Sequence, residues 1–355
     1  MASAGDPMRR DEIRPVKRRV EDDLIVRPGV VGVDIGEKVT GGRPTGHPAI
    51  VVAVRRKLPA DELPPGQLIP SEIDGVPTDV VEEEYVLHPA VIPLGEEDSD
   101  TGADPGAAPP LARTIVGGLS MGPCRPIRLA PPDVPQPGDY TTAGTIGALV
   151  TDRGGSGAAM VVTNFHVACV DDAWSVGDTM VQPSRMDGGR CPQDVFGTLA
   201  RAALSGRVDG AIVELTEVRP HENAIAGIGP VRGEAEAAVG MSVRKRGRTT
   251  GLTTGRVASV DATLSVNYGN GLGVRTLRDQ IRVVADGERF GDRGDSGAVI
   301  VDAARRVVGL YFAGTVDGRV GFANPIAAVL TELDVRLCTR PPHQRAPGLA
   351  ERAEP

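Results

Sequence analysis

The chain has 355 residues, long for one hydrophobic core, so two domains are expected. Apolar residues make up 40% and aromatics only 3%, which leaves packing to Val, Ala, Leu and Ile, while 46 glycines and 30 prolines favour short strands and turns over long helices. The formal charge of −8 excludes a nucleic-acid surface spread over the whole molecule, and no apolar run approaches the length of a membrane span.

Residues 1–28 are polar and charged, and Val16, Val20 and Leu24 recur every fourth residue, predicting a short helix after Pro15. The basic residues between Met8 and Val20 are interleaved with Asp11 and Glu12 and followed by Glu21, Asp22 and Asp23, which reads as a solvated N-terminal arm. The opening Met1-Ala-Ser-Ala-Gly-Asp-Pro lacks an apolar secretory core, so a cytoplasmic location is expected. Strand-like runs at 29–38, 49–54 and 76–86 suggest a small α/β domain over residues 29–93. Residues 94–112 are acidic and rich in Gly and Pro, a composition that reads as a flexible linker.

From 113 onward the pattern is many short β runs separated by turn signals, as in an all-β barrel or sandwich. A helix follows, with Asn324 as N-cap, Pro325 at its first position and Ile326, Val329, Leu330 and Leu333 as its apolar face. Residues 341–355 read as a disordered tail. Cys124, Cys169, Cys191 and Cys338 form no Cys-x-x-Cys pair, so no metal site is expected and all four read as free thiols.

Three segments carry chemistry. In Gly291-Asp-Arg-Gly-Asp-Ser-Gly297 a serine between glycines leaves its Oγ free and lets neighbouring N–H groups face a developing oxyanion, although the tetrapeptide alone could be a strand turn. In Val161-Val-Thr-Asn-Phe-His-Val167 a β run ends on His166, one of five histidines. In Gly206-Arg-Val-Asp-Gly-Ala-Ile-Val-Glu-Leu215 an aspartate, Asp209, opens an apolar strand; Asp194 is its rival as the orienting acid. His166, Asp209 and Ser296 stand in that chain order, 43 and 87 residues apart, which suits a base and acid on one barrel and a nucleophile on a second.

On these motifs residues 113–335 resemble the chymotrypsin/trypsin-like serine peptidases. More narrowly, the chain is similar to the bacterial and plant peptidases related to the NARROW LEAF protein, through Thr142-Ala-Gly-Thr-Ile-Gly, Gln182-Pro with Asp187-Gly-Gly, Arg246-Gly-Arg-Thr-Thr-Gly-Leu-Thr-Thr-Gly255, Gly32-Val-Asp-Ile-Gly-Glu-Lys and Ile73-Asp-Gly-Val. The resemblance implies a mainly β fold: a double β-barrel over 113–340 with an appended N-terminal α/β domain and a C-terminal helix. It implies Ser296 as nucleophile, His166 as general base, Asp209 as orienting carboxylate, and the N–H groups of Gly294 and Ser296 as oxyanion hole. It implies a polypeptide substrate, no cofactor or metal, and a homo-oligomer. Charge and hydropathy argue for no nucleic-acid or membrane partner, and the need to restrain a peptidase inside the cell suggests a regulatory partner acting through the N-terminal domain. A catalytically weak trypsin-fold scaffold is the alternative.

Phe290, six residues before the serine, stands where trypsin has an acid, so with Phe312 and Ala313 on the facing strand an apolar or small side chain is the expected pocket occupant. Arg113-Thr-Ile-Val-Gly-Gly118 echoes a zymogen cleavage site, but an extra Thr114 interrupts it, so Asp295 is expected to pair with an arginine of the chain rather than with a new N-terminus.

Overall fold

The computed structural model describes residues 8–94, 114–131, 134–154, 157–216, 219–269 and 271–339; the expected tail, and the expected linker beyond Leu94, lie outside them. The first element is helix α1 (Arg10–Ile25), whose Ile13, Val16 and Leu24 are buried as their spacing predicts. It begins before Pro15 rather than after it. Glu12 accepts a hydrogen bond from the Arg9 N–H (2.7 Å), fixing the first turn, and the helix tolerates the one internal N–H that Pro15 lacks.

Helix α1 covers strands β1 (Val30–Thr40), β2 (Arg43–Val54), β3 (Glu72–Ile73) and β4 (Val76–Glu82), with β1 and β2 antiparallel and β2 and β4 parallel. Ile35, Ile50, Val52 and Val76 fill the space beneath it. The 76–86 run breaks after Glu82. Strands β5 (Tyr85–Leu87) and β6 (Ala90–Pro93) leave this unit and pair with strands of the β-rich region described below.

After β7 (Ile115–Gly117) come β8 (Ser120–Pro123), β9 (Ile127–Leu129), β10 (Gly138–Thr145), β11 (Ala148–Asp152), β12 (Met160–Thr163), a helical turn α2 (Phe165–Ala168), β13 (Thr179–Val181), β14 (Val195–Leu204) and β15 (Asp209–Leu215). Strands β10 and β11 act as one bent strand. Ile146 N–H bonds to the Leu119 carbonyl and Gly147 N–H to that of Val162, so the ladder β8-β10/β11-β12-β15-β14-β13 closes on β8. Met121, Leu149, Val161, Phe196, Leu199 and Val213 fill this first barrel. Cys124 and Cys191 form a disulfide, which corrects the expectation of four free thiols; only Cys169 and Cys338 are free.

Strands β16 (His221–Ile225) and β17 (Gly229–Pro230) lead to the second barrel, β18 (Ser242–Gly247), β19 (Gly251–Asn267), β20 (Val274–Ala285), β21 (Val299–Asp302), β22 (Val307–Thr315) and β23 (Val320–Pro325). Their order, β18-β21-β22-β23-β20-β19 with β19 returning to β18, is a closed antiparallel ring. Val243, Val257, Val283, Phe290, Ile300 and Tyr311 pack inside it. The far end of the long β19 pairs with β1, joining the N-terminal sheet to this barrel. Between the barrels Val162, Ile212, Val299 and Leu310 pack with helix α3 (Ile326–Glu332), and β24 (Val335–Leu337) returns to β11. Each barrel thus has its own Val/Ile/Leu core, and each buried side chain of that kind contributes about 1.5–3 kcal/mol relative to exposure.

Helix α3 starts one residue later than predicted, with Pro325 in the cap position. The Asn324 side chain does not cap it. It turns inward, a difference explained by what it holds.

Candidate functional site

Residue 166 does not end the strand: β12 stops at Thr163 and His166 lies in the helical turn α2, which swings its ring over the start of β15. There Asp209 is fully buried. His166 Nδ1 donates to Asp209 Oδ2 (2.5 Å), and its backbone N–H reaches Asp209 Oδ1 (3.2 Å). With the proton of the neutral ring on Nδ1, the Nε2 lone pair is left free. Nε2 is buried and has no hydrogen-bond partner among the described residues. Asp194, the rival acid, instead accepts from the Arg190 backbone N–H.

Three residues not expected to touch Asp209 hold it. Tyr268 donates its hydroxyl to Oδ2 (2.8 Å), Asn324 Oδ1 accepts the Asp209 N–H (3.2 Å), and Asn164 Nδ2 donates to the Asp209 carbonyl (2.7 Å). Asn324 is locked in turn by Gln280 Oε1 (2.8 Å) and the Arg207 carbonyl (3.2 Å). The scarcity of tyrosine was the available signal: of four in the chain, Tyr268 and Tyr311 both lie at this junction.

Ser296 sits on the turn before β21, across the gap between the barrels. Gly294 (φ 100°) and Gly297 (φ 97°) both occupy the left-handed region, and a Cβ on Gly297 would fall 2.1 Å from the Thr145 carbonyl. Thr145 clasps the turn, its N–H on the Ser296 carbonyl (2.7 Å) and its Oγ1 on the Gly294 carbonyl (2.8 Å). The Ser296 hydroxyl donates to the Phe312 carbonyl (3.1 Å) and makes no hydrogen bond to His166 Nε2. The two closed β-barrels, packed against each other through a shared Val/Ile/Leu core, decide the architecture. This is the chymotrypsin-like fold.

Within this chymotrypsin-like core, Asp295 pairs with Lys245 (2.9 Å), and both side chains are fully buried. The expected arginine partner is corrected to a lysine. Burial alone would raise the Asp295 pKa; Lys245 and the Thr250 hydroxyl (2.6 Å) outweigh it and hold the carboxyl below its ordinary value. Burial lowers the Lys245 pKa, with Asp295 opposing. The N–H groups of Thr249, Thr250 and Asp292 also bond Asp295. Ile115 is already tied into the fold, its N–H on the Pro220 carbonyl (2.8 Å). Arg248, from the same Arg-Thr-Thr segment, makes a bidentate pair with Asp187 (2.5 and 2.6 Å), linking the barrels beside the site.

The expected pocket residues divide. Phe290 is buried and meets Tyr311 edge-on (5.9 Å between ring centres). The Phe312 and Ala313 side chains belong to a core with Leu264, Leu277 and Phe322, and it is their backbone that faces the cleft. The cleft wall is instead made by the Tyr311 hydroxyl with Gly291 and Gly314. The Gly294 N–H, expected in the oxyanion hole, donates to the carbonyl of His88 (2.6 Å).

No family model matches the chain. Protein NARROW LEAF 1 of Oryza sativa subsp. japonica is 25% identical over 338 residues, covering 82% of this chain and 52% of the relative, so the chain spans about half that protein's length. Among solved structures, Thermobifida fusca protease A is 24% identical (TM-score 0.46), covering 64% of this chain and 100% of that one. Cellulomonas bogoriensis chymotrypsin is 22% identical (TM-score 0.44), again covering 64% and 100%. Among the described residues no helix is long and apolar enough to cross a membrane.

Proposed function

We propose that the chain is a serine endopeptidase, with Ser296, His166 and Asp209 as its catalytic residues. The observation that carries this reading is the His166 ring: one nitrogen is fixed on a buried carboxylate, and the other is buried and unpartnered within the described structure. A histidine held only for packing would satisfy or expose that nitrogen.

A rotation about χ1 takes the Ser296 hydroxyl from the Phe312 carbonyl towards His166 Nε2. The base then accepts the hydroxyl proton as Oγ attacks the carbonyl carbon of a peptide. The tetrahedral oxyanion is met by the N–H groups of Gly294 and Ser296, which the left-handed Gly294 orients. His166, now cationic against Asp209, passes its proton to the leaving amine, and water repeats the sequence on the ester. Tyr268 and Asn324 act as positioning residues, keeping Asp209 aimed at Nδ1. Polypeptide is the substrate class because the cleft edge of β22 takes an extended segment, β5, as an antiparallel partner.

Labelling to completion with a fluorophosphonate tests the assignment. The reading predicts one adduct, on Ser296, absent from Ser296→Ala. A folded protein that takes up no label after prolonged incubation overturns it.

A further inference from the structure

The cleft between the barrels is filled by the chain's own backbone. Residues 85–93 run through it in extended form. On one side of Ser296, β5 pairs antiparallel with β22, in the register Tyr85 with Thr315, Val86 with Gly314 and Leu87 with Ala313. On the other side, β6 pairs antiparallel with β10, Ala90 opposite Ala143 and Val91 opposite Thr142. His88 and Pro89 span the gap between these ladders.

At that gap the contacts are those of a peptide presented for acyl transfer. The His88 carbonyl accepts the Gly294 N–H (2.6 Å), the donor assigned to the oxyanion. The His88 N–H points to the Phe312 carbonyl (3.4 Å), the same oxygen that holds the Ser296 hydroxyl. The His88 side chain, 2% exposed, fills the pocket, with Nδ1 hydrogen-bonded to the Tyr311 hydroxyl (2.6 Å). A Cβ on Gly314 would come within 2.8 Å of the imidazole, so the pocket fits this ring only because residue 314 is glycine. The strand is fastened upstream: Glu83 makes a bidentate pair with Arg282 (2.6 and 3.0 Å), and the Tyr85 ring stacks edge-on against Phe322 (4.8 Å). As a result Ser296 is fully buried and His166 only 3% exposed.

We propose that Tyr85–His88 is a built-in substrate mimic that closes the peptidase cleft, with His88 as the acyl-side residue and Pro89 in the place of the leaving group. This rests on the peptidase reading and adds to it a regulation and a pocket preference: a neutral ring able to hydrogen-bond the Tyr311 hydroxyl, in place of the apolar side chain expected from the sequence. Pro89 accounts for the mimic's survival. Its nitrogen is tied into a ring, so turning the nitrogen lone pair towards His166 during departure must swing the whole pyrrolidine in a closed cleft. Tethering makes the strand's effective concentration far exceed that of a free peptide. Substrates enter when the strand peels away.

The test uses the full chain and His88→Asp, which places an unpaired carboxylate in the buried pocket and drives the strand out to water. Initial rates of fluorophosphonate labelling are compared at neutral pH, after thermal melting shows both proteins folded. The proposal expects His88→Asp to label at least about tenfold faster than the parent chain, by release of a tethered occupant. Equal rates, with both proteins labelled, overturn the proposal and leave the peptidase reading standing.

A second measurement is independent of reactivity. A fluorescein-tagged peptide of the sequence Tyr85-Val-Leu-His-Pro-Ala90 is titrated by anisotropy against Ser296→Ala with and without His88→Asp. Saturable binding to the double variant and none to Ser296→Ala supports the mimic, even where no protein is labelled and the peptidase reading fails. Absence of binding to the folded double variant, or equal binding to both, overturns it.

Discussion

Lys245→Met separates the ion pair beneath the nucleophile from the packing around it, since the thioether keeps most of the volume and removes the charge. In the parent chain Lys245 Nζ lies 2.9 Å from Asp295 and 3.0 Å from the Thr250 hydroxyl, in a pocket closed by the rings of Phe290 and Tyr311 at 5.4 and 5.2 Å. Removing one partner of a buried pair costs about 3–5 kcal/mol, because the other charge stays behind uncompensated. Asp295 keeps three backbone N–H donors and the Thr250 hydroxyl, so the lower end, about 3 kcal/mol at pH 7, is expected.

The sign of the pH dependence follows from the pKa directions. In the parent chain the Asp295 carboxyl is held below its unfolded value of about 3.9, so its contribution is present above that pH and lost as pH falls through the folded value. In Lys245→Met burial prevails, the folded pKa rises above the unfolded one, and protonation stabilises the variant. The gap between the two proteins is therefore largest at neutral pH, begins to shrink as pH falls through the variant's raised pKa, and goes on shrinking below about pH 4. Urea titrations at pH 7 and pH 4 measure it. A gap that is constant with pH, or below about 1 kcal/mol at pH 7, refutes the ion-pair account and leaves a packing effect.

Tyr268→Phe removes one hydrogen bond from Asp209 and leaves the ring. A bond to a charged group contributes about 1.5–3 kcal/mol, so kcat/KM should fall about 10–100-fold with KM little changed; a change confined to KM would mean that Tyr268 contacts substrate instead. Asn324→Ala strands the Asp209 N–H and the Gln280 amide and should lose about 1–3 kcal/mol in urea unfolding; a loss below about 0.5 kcal/mol would remove Asn324 from the Asp209 network. Burial brings the His88 pKa to about 4 against an unperturbed value of about 6.5, with Asp292, Asp295, Arg293 and His166 acting on it. The neutral ring then favours docking fully above about pH 6.5 and progressively less as pH falls towards about 4; an imidazole NMR titration near 6.5 in Ser296→Ala would show the ring outside the pocket. Pro89→Gly gives the strand a leaving nitrogen free of the ring, and time-resolved mass spectrometry should detect cleavage after His88 that Ser296→Ala abolishes. A chain left intact over the time course would remove Pro89 from the explanation.

The parts legible in the sequence are those whose chemistry is local. Gly-Asp-Ser-Gly needs its glycines for the left-handed turn at 294 and the close approach at 297, and Val-Asp-Gly-Ala-Ile opens a buried strand on its aspartate. His166, three residues past its strand in a helical turn, shows how a tertiary packing demand shifts a boundary without moving the residue from its site. The illegible parts depend on partners far along the chain. Lys245 lies 50 residues from Asp295, Tyr268 lies 59 from Asp209 and Asn324 lies 115 from it, and neither spacing nor composition ties them together. Asn324 before Pro325 has the sequence of a helix cap, and the buried N–H of Asp209 outbids the helix for its side chain. The run at 76–86 reads as one strand because an extended segment does not encode its neighbour. Only the three-dimensional pairing shows β4 in the N-terminal sheet and β5 in the cleft.

The account stands or falls on Ser296-dependent peptide hydrolysis by the opened cleft. The most direct measurement is mass-spectrometric cleavage profiling of a peptide library by His88→Asp and by His88→Asp combined with Ser296→Ala. The account predicts new termini with the first protein and none with the second. A folded His88→Asp protein that hydrolyses nothing, or equal cleavage by both, would contradict it.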